Sequence, residues 1–505
     1  MANTLTASRS QVIFGLCVPL AVLVGYFLAQ PLESTSLAIL VFVVTALLFP
    51  LLLRWYHPLL IISWNAAIDP YFLPGRPYLW MLFSVTGLIV ALVNRSVDPD
   101  KRFMSGGGVP WALLFLALVL AATAATTGGM GARSLGSASY GGKKYFYILA
   151  AIAGYFALAS RRIPAQRAKL YVSLFFLSAI TALASNLAYM GGAKFYFLLD
   201  LFPSEFAMVQ AVGTEAAYGG IPRIAGSIWA SMAIACCLLA LYGIRGVLDL
   251  RKPWRAALLV AAVVGGLLSG FRSFVVLMGL IVVVEFFLEG LHRTRWLAIL
   301  LAAGVVGGGA MVTFVDKLPL SAQRALSFLP LDVHPIVRSD ADHSTEWRLE
   351  MWRILLPEVP KYLLKGKGYA LNPTDLYLSQ ESAARGLRPT SEVAIVAADY
   401  HNGPLSILIP FGIWGAVGFL WFLIAAGRVL YLNHRFGEVS LRNINTTLLA
   451  LFVGRAIFFF LFFGSVDVDM FVFTGLVGLS VSLNGGVRVA PAVDQQPAWA
   501  GYPIA

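Results

Sequence analysis

The sequence has 505 residues, of which 59 % are hydrophobic and only 12 % charged, and its mean hydropathy is +0.79. Soluble domains run at about 45–50 % apolar and about 25 % charged, so no water-soluble fold could hide this much apolar surface; lipid is the solvent that fits. The net charge of +12 belongs to the loops of such a protein, where Lys and Arg collect on the cytoplasmic side by default, and nucleic acid is excluded as a partner.

A bilayer-spanning helix needs about 20 mostly apolar residues. In chain order, stretches of that kind run through Val12–Leu28, Leu37–Leu53, Pro58–Asp69, Tyr78–Val93, Val109–Thr126, Tyr145–Ala159 and Leu170–Tyr189. They continue through Ile224–Tyr242, Ala256–Leu268, Phe274–Leu288, Trp296–Phe314, Leu405–Val429, Thr447–Phe463 and Met470–Leu483. The first comes after a single early charge, Arg9, and lacks a small-x-small cleavage site, so it reads as an uncleaved helix. The third is short and ends in Asp69-Pro70, the pattern of a broken or re-entrant segment. The fold class is therefore an all-α polytopic membrane protein with about 12–14 transmembrane helices.

Loop charge orients the spans. With the N-terminus inside, the inner loops carry Arg95, Lys101 and Arg102; Arg161, Arg162, Arg167 and Lys169; Arg245, Arg251, Lys252 and Arg255; Arg293 and Arg295; and Arg428, Arg435 and Arg442. The short outer loops hold little beyond Arg76, Arg133, Lys143 and Lys144. The asymmetry holds along the whole chain, which predicts an even number of spans and both termini in the cytoplasm. Cys17, Cys236 and Cys237 all lie in apolar stretches, which argues against disulfides and a cysteine-based metal site.

The expected organisation is an N-terminal bundle over 1–314 with an outer loop at 190–223, a large outer loop over 315–400 carrying short amphipathic helices, C-terminal spans over 401–484, and a disordered cytoplasmic tail over 485–505, where Pro, Ala and Gln dominate. Loops without a purpose are usually short, so a segment of about 85 residues is more often functional. Within it, Trp347, Met351, Ile354 and Leu355 fall on one face of an expected helix over 344–356, with Ser344 as N-cap and Glu346 in the first turn. Such a helix lies on the membrane surface or on the bundle; simple packing of the loop accounts for the pattern equally well.

The loop ends in Tyr400-His401-Asn402-Gly403-Pro404. Asn402 is an expected N-cap and Pro404 suits a first turn. His401 then sits beside the positive end of a helix, which disfavours protonation and leaves the imidazole able to accept a proton. A lone histidine there is more often a cap or surface residue. The adjoining helix distinguishes this one: Pro410 should bend it, and Gly412, Gly415 and Gly418 allow close approach of a neighbour. Glu346 and Asp399 are the other possible bases. Arg455 lies in mid-span, where a charge faces inward and needs a partner; Asp467 and Asp469 sit too near the outer end to be assigned to it. Glu285 and Glu289 are expected to be solvated at the inner end of their helix.

His401-Asn402 ahead of a leucine and a Gly-x-x-Gly helix resembles the signature of the O-antigen ligase and Wzy-type O-antigen polymerase superfamily. Arg223-Ile-Ala-Gly-Ser-Ile resembles its Arg-x-x-Gly-x-Phe motif, Ser269-Gly-Phe-Arg272-Ser its Ser-Arg turn, and Trp347-Arg348-Leu-Glu-Met-Trp with Gly366-Lys-Gly368-Tyr its large periplasmic loop. The resemblance covers roughly residues 220–430. Two positions depart from the pattern: Trp229-Ala-Ser stands where asparagine is common, and Gly403 comes after His-Asn where a larger side chain is usual.

The resemblance implies a metal-independent, cofactor-free enzyme of the bacterial inner membrane. Such an enzyme moves a glycan from an undecaprenyl-pyrophosphate carrier to a sugar hydroxyl on the periplasmic face. It implies Arg223 and Arg348 as pyrophosphate-binding residues and His401 as the catalytic base, with Arg272 and Asn402 as supporting residues. The implied partners are the carrier-linked glycan, a glycan acceptor, membrane lipid and other polysaccharide-assembly proteins. The chemistry agrees: planar, permanently charged Arg suits a leaving pyrophosphate, and a sugar hydroxyl needs a positioned base. Polymerisation of O-antigen or exopolysaccharide repeats is favoured over ligation, because the chain is long for a ligase and nothing points to a lipid A or protein acceptor. The rivals are a lipid-linked glycan flippase, which should show paired halves and a charged cavity between them, and a structural partner in a polysaccharide export complex.

Overall fold

The computed structural model describes residues 54–71, 73, 75–98, 103–130, 142–214, 221–387 and 390–489, with four isolated positions before them. The first two expected spans (but for those four positions), Arg9, Cys17, Lys101, Arg102, Arg133 and the tail from residue 490 lie outside the described residues. Residues 57–505 form a single structural unit. Every regular element described in it is helical, so the chain is an all-α, multi-pass membrane protein. Eight helices among the described residues are long and apolar enough to cross a bilayer.

The helices are α1 (Leu79–Val97), α2 (Val109–Thr127), α3 (Gly142–Leu158), α4 (Ala165–Gly191), α5 (Ser204–Thr214), α6 (Ser227–Val247), α7 (Trp254–Leu268) and α8 (Arg272–Leu288). They continue as α9 (Trp296–Phe314), α10 (Leu320–Leu326), α11 (Pro335–Leu355), α12 (Pro373–Ala384), α13 (Thr390–Val396), α14 (Gly403–Phe436), α15 (Arg442–Leu461) and α16 (Val466–Asn484). The α4 segment tightens into a 3-10 turn at Ser178–Ala182. α9 has no buried residue at all, as suits a helix whose whole circumference is apolar and meets lipid.

The expected break in the third span is present: its helix stops at residue 64. The chain beyond it then pairs with the loop before α5, Asp69 and Tyr71 donating their N–H groups to the carbonyls of Leu201 and Asp200, both at 3.0 Å.

The basic loops meet at one end of the bundle. Arg162 and Arg488 both bind Glu438, each at 3.0 Å, and the Ile163 N–H donates to the Ser482 carbonyl at 2.9 Å. The first residues of α1, α3, α6, α8, α14 and α16 gather at the opposite end, together with α10–α13.

The α14 helix is interrupted where a proline and a glycine fall together. Pro410 supplies no N–H, and Gly412 takes a left-handed φ of 62°. The break releases three backbone groups that an unbroken helix would satisfy internally, and lipid offers no replacement partner. The large loop supplies them. Lys367 N–H donates to the Ile409 carbonyl at 2.8 Å, Gly368 N–H to the Pro410 carbonyl at 2.9 Å, and the freed Ile413 N–H donates to the Leu363 carbonyl at 2.6 Å. A side chain at Gly412 would run into the Leu363 carbonyl at 2.5 Å, and one at Gly366 into the Pro410 carbonyl at 2.3 Å. The glycine row therefore serves two neighbours: Gly412 admits the loop, whereas Gly418 lies against Phe115 of α2.

α11 differs from the expected short helix over 344–356. It starts nine residues earlier, where His334 Nδ1 accepts from the Ile336 N–H and Pro335 occupies the first turn, a position proline favours. Ser344 is mid-helix and caps nothing. Met351 and Leu355 are buried as expected, but Ile354 is exposed. Its first half packs through Val337 on a cluster containing Ile221, Val315, Leu326 and Val333. Its second half packs through Met351 and Leu355 on Tyr400, Leu405 and Ile409. At 1.5 Å per residue the helix spans about 30 Å, and it lies across the end of the bundle, anchored at both ends.

Two further expectations are corrected. Glu285 is not solvated: α8 packs against α15, and the fully buried carboxylate accepts from the Thr447 hydroxyl at 2.9 Å. Glu289 is also tied down, accepting from the Ile244 N–H at 2.7 Å. Arg455 has a partner after all. The tight α15–α16 connection sets its Nε 2.5 Å from Asp469 Oδ1, and Asp469 Oδ2 accepts from the Ser465 N–H at 2.9 Å.

Replacing Gly366 by Ala combines a left-handed φ with a backbone collision and should destabilise the docked loop by roughly 2 kcal/mol or more. Thermal unfolding of the purified full chain should begin at lower temperature, and limited proteolysis should cut more rapidly within 356–400. Unchanged unfolding and cleavage would show that the loop does not depend on the α14 break.

Candidate functional site

Four guanidinium groups gather along one face of α11. Arg223, just before α6, binds Asp340 of α11 at 2.9 Å. Arg324 of α10 binds the same carboxylate and also donates to the Gly270 carbonyl at 2.6 Å. Arg272, the first residue of α8, donates to the Thr345 hydroxyl at 3.2 Å. Arg348 lies one turn further along α11, and its buried Nε has no hydrogen-bond partner. Asp340 to Arg348 is eight residues, about 12 Å along the helix axis.

Asp340 is the one carboxylate bonded to this group among the described residues, shared between two arginines. The assembly is therefore strongly cationic. Burial and then the Arg324 charge push Arg223 below the usual arginine range, against the pull of Asp340. Burial and then the charges of Arg272 and Arg324 do the same to Arg348. Positive charges held this close, with too little compensating charge, form a site that gains free energy when an anion binds.

His401 stands at the other end of the row. Its ring meets Trp347 edge-on and packs on Phe463, with centroid separations of 5.2 Å in both cases. Arg348 lies over the same Phe463 ring at 6.0 Å, so one phenylalanine joins the arginine row to the histidine. His401 Nε2 is 3.5 Å from Asp399 Oδ2, an electrostatic neighbour rather than a hydrogen bond, and buried Nδ1 has no partner.

The backbone holding His401 is strained and firmly fastened. His401 and Ala398 both have left-handed φ values, 49° and 54°, which cost free energy in residues with a Cβ and persist only where the surroundings enforce them. Here Lys144 Nζ donates to the Ala398 carbonyl at 2.6 Å, Asp399 N–H to the Ala394 carbonyl at 2.8 Å, and Trp352 Nε1 to the Tyr400 carbonyl at 3.0 Å. Asn402 caps α14, its Oδ1 accepting from the Leu405 N–H at 3.0 Å. Gly403 has a steric reason: a Cβ there would lie 2.3 Å from the Phe459 carbonyl, so the larger side chain seen at this point of the resembling pattern has no room.

The five site residues named from the sequence, Arg223, Arg272, Arg348, His401 and Asn402, thus share one end of the bundle, joined through α11. Sequence reasoning missed Arg324 and Asp340. The available signal was the extended α11: once Pro335 begins the helix, Asp340 falls on the Arg348 face two turns away. Of the two other possible bases, Asp399 adjoins His401, whereas Glu346 is exposed on α11.

Burial lowers the His401 pKa from its ordinary 6.5, Asp399 raises it, and Arg348 and Lys144 lower it again. The net direction is downward, so the ring is neutral near pH 7. Carbethoxylation of His401 in the full chain, read by mass spectrometry across pH, should show a midpoint below 6.5. Asp399→Asn should move that midpoint lower and Arg348→Gln higher; a wild-type midpoint above 6.5 would contradict this electrostatic account.

Residues 257–420 match the family model described as O-Antigen ligase. Among curated proteins, none matches the chain. The matched segment runs from α7 to the middle of α14 and contains Arg272, Arg324, Asp340, Arg348 and His401, while Arg223 lies outside it. This segment is similar to the O-antigen ligase domain, and it coincides with most of the stretch over which the sequence resembles that superfamily.

Proposed function

We propose that the protein transfers a glycan from a polyprenyl-pyrophosphate carrier to a sugar hydroxyl at the outer face of a bacterial inner membrane, with both termini in the cytoplasm. The observation that carries this reading is the four-arginine row that ends, across the Phe463 ring, at His401. The row suits the pyrophosphate. The phosphate oxygen attached to the anomeric carbon gains charge as that C–O bond breaks, and fixed guanidiniums stabilise that charge most where water is excluded.

His401 suits the acceptor. The His401 imidazole takes the hydroxyl proton as the oxygen attacks the anomeric carbon, and Asp399 beside Nε2 stabilises the imidazolium that forms. The polyprenyl pyrophosphate leaves with the bonding electrons, and the proton returns to solvent from the imidazolium. The activated carrier supplies the driving force. The resemblance accommodates polymerase and ligase alike; we favour polymerisation of repeat units, with ligation to another acceptor as the alternative. A flippase would line a path through the bundle with accessible polar groups. Arg455, a charge within a span, is instead buried and bonded to Asp469, which also accepts from the Ser465 N–H.

Removing a general base costs about 10²–10⁴ in rate. His401→Ala, expressed to wild-type membrane levels in a strain lacking the gene, should abolish polymer and accumulate single-repeat carrier-linked units. Accumulation of long carrier-linked chains would identify ligation. Arg348→Lys, which keeps charge but loses the planar fork, should also be impaired. Wild-type glycan profiles in both variants would refute the proposed chemistry.

A further inference from the structure

A second cavity opens at the same end of the bundle, away from the arginine row, and the transfer reaction does not yet use it. It has a volume of about 330 Å³ and is lined by Trp64, Trp80, Trp229, Tyr78 and Tyr147, with Phe471 at its base and Asn65, Glu205 and Asp467 as its polar groups. That volume is within the roughly 300–1,000 Å³ of small-molecule sites.

The aromatic rings form one continuous wall. Trp64 stacks on Phe471 at 5.3 Å and 9°, Trp80 meets Phe471 at 4.6 Å, and Tyr147 lies 6.3 Å from Trp80 and 6.0 Å from Tyr78. Tryptophans at a membrane boundary ordinarily point outward to the headgroups. Trp64 and Trp80 do not: they are 1 % and 6 % exposed and face the bundle interior. Trp229 closes one side, at the position where the chain departs from the pattern it resembles.

The polar groups define the ligand's chemistry. Glu205 accepts from the Tyr78 hydroxyl at 3.0 Å, and the Ser465 hydroxyl donates to Asp467. No Lys or Arg is among the described lining residues. Lys143 lies over the Tyr147 ring at 5.5 Å, and Arg76 is engaged by Asp69 at 3.2 Å. Carboxylates repel anions but accept strongly from hydroxyl groups, while flat aromatic faces cover apolar C–H surface. A ligand with an apolar ring face and a rim of neutral hydroxyls satisfies both.

The cavity is mechanically joined to the histidine. Asp467 opens α16, and the preceding Phe463 touches His401. Val466 N–H donates to the Ser406 hydroxyl of α14 at 3.0 Å, and Ser406 N–H donates to the Asn402 carbonyl at 2.9 Å. The two sides of His401 thus differ: an arginine row sharing one carboxylate on one, an aromatic wall with Glu205 and Asp467 on the other.

We propose that this cavity is a saccharide subsite that holds a neutral pyranose of the acceptor glycan, with Trp229 and Glu205 deciding which sugar fits; the acceptor assignment rests on the transfer reaction proposed above. The subsite disfavours a uronate or sugar phosphate, because Glu205 and Asp467 line it directly while Lys143 is held over the Tyr147 ring.

The test is binding, which needs no turnover. Saturation-transfer NMR on the full chain in nanodiscs, free of sugar-based detergent, should detect saturable binding of at least one of methyl glucoside, methyl galactoside and the methyl glycoside of N-acetylglucosamine, and none of glucuronate. Trp229→Ala and Glu205→Gln, both at exposed positions, should each weaken that binding about fivefold or more, while Trp111→Ala on the outer surface of α2 leaves it unchanged. Absence of binding by all three neutral glycosides overturns the subsite, as does binding that survives both cavity substitutions or extends to glucuronate. Sugar binding lost in the cavity variants, together with an unaltered glycan profile in His401→Ala, would retain the subsite and sink the transfer reading. Products lost with His401 but no sugar binding would do the reverse.

Discussion

A backbone carbonyl released inside a membrane bundle has to find a donor, because lipid offers none. That constraint at α14 organises the end of the bundle that carries the large loop. Pro410 and Gly412 break the helix, and the freed Ile409, Pro410 and Ile413 groups are satisfied by Leu363, Lys367 and Gly368 of the large loop. The loop is thereby threaded into the bundle at one point and pressed on α14 through Met351, Leu355 and Tyr400 at another. Once both attachments are made, the residues between them have little freedom, and the left-handed Ala398 and His401 are held in place.

The same attachments fix α11, and α11 is what turns separate charges into a site. Its first half meets Arg223 and Arg324 through Asp340, its middle meets Arg272 through Thr345, and its second half carries Arg348 to the ring shared with His401. Asp340 has a double role in this scheme. It compensates part of the charge that would otherwise drive four guanidiniums apart, and it aims two of them along the helix. One carboxylate is enough to assemble the row but not to neutralise it, which leaves the remaining charge for a ligand.

Much of this was legible in the sequence, for physical reasons that can be named. Apolar run lengths and alternating basic loops report on lipid directly, so the all-α bundle and its two unlike ends could be read from them. Arg223, Arg272 and His401 stand just before or at the start of a helix, and these three and Arg348 were named because the motifs around them resemble a known family. What escaped depended on geometry across the chain. Asp340 and Arg324 look like ordinary loop charges until Pro335 is seen to start α11. Glu285 reads as solvated until α15 is packed against it, and Asp469 pairs with Arg455 only because the α15–α16 turn is tight. The aromatic cavity was invisible for the same reason: Trp64, Trp80, Tyr147, Trp229 and Phe471 come from five separate helices.

The central claim is that the arginine row receives a pyrophosphate within reach of His401, and direct observation of a bound carrier tests it most plainly. Cryo-electron microscopy of the full chain in nanodiscs with a polyprenyl pyrophosphate should place the diphosphate among Arg223, Arg272, Arg324 and Arg348, with its first isoprene units descending into lipid from the same end. A diphosphate found in a path through the middle of the bundle, or at the basic end around Arg162 and Arg488, would contradict the account.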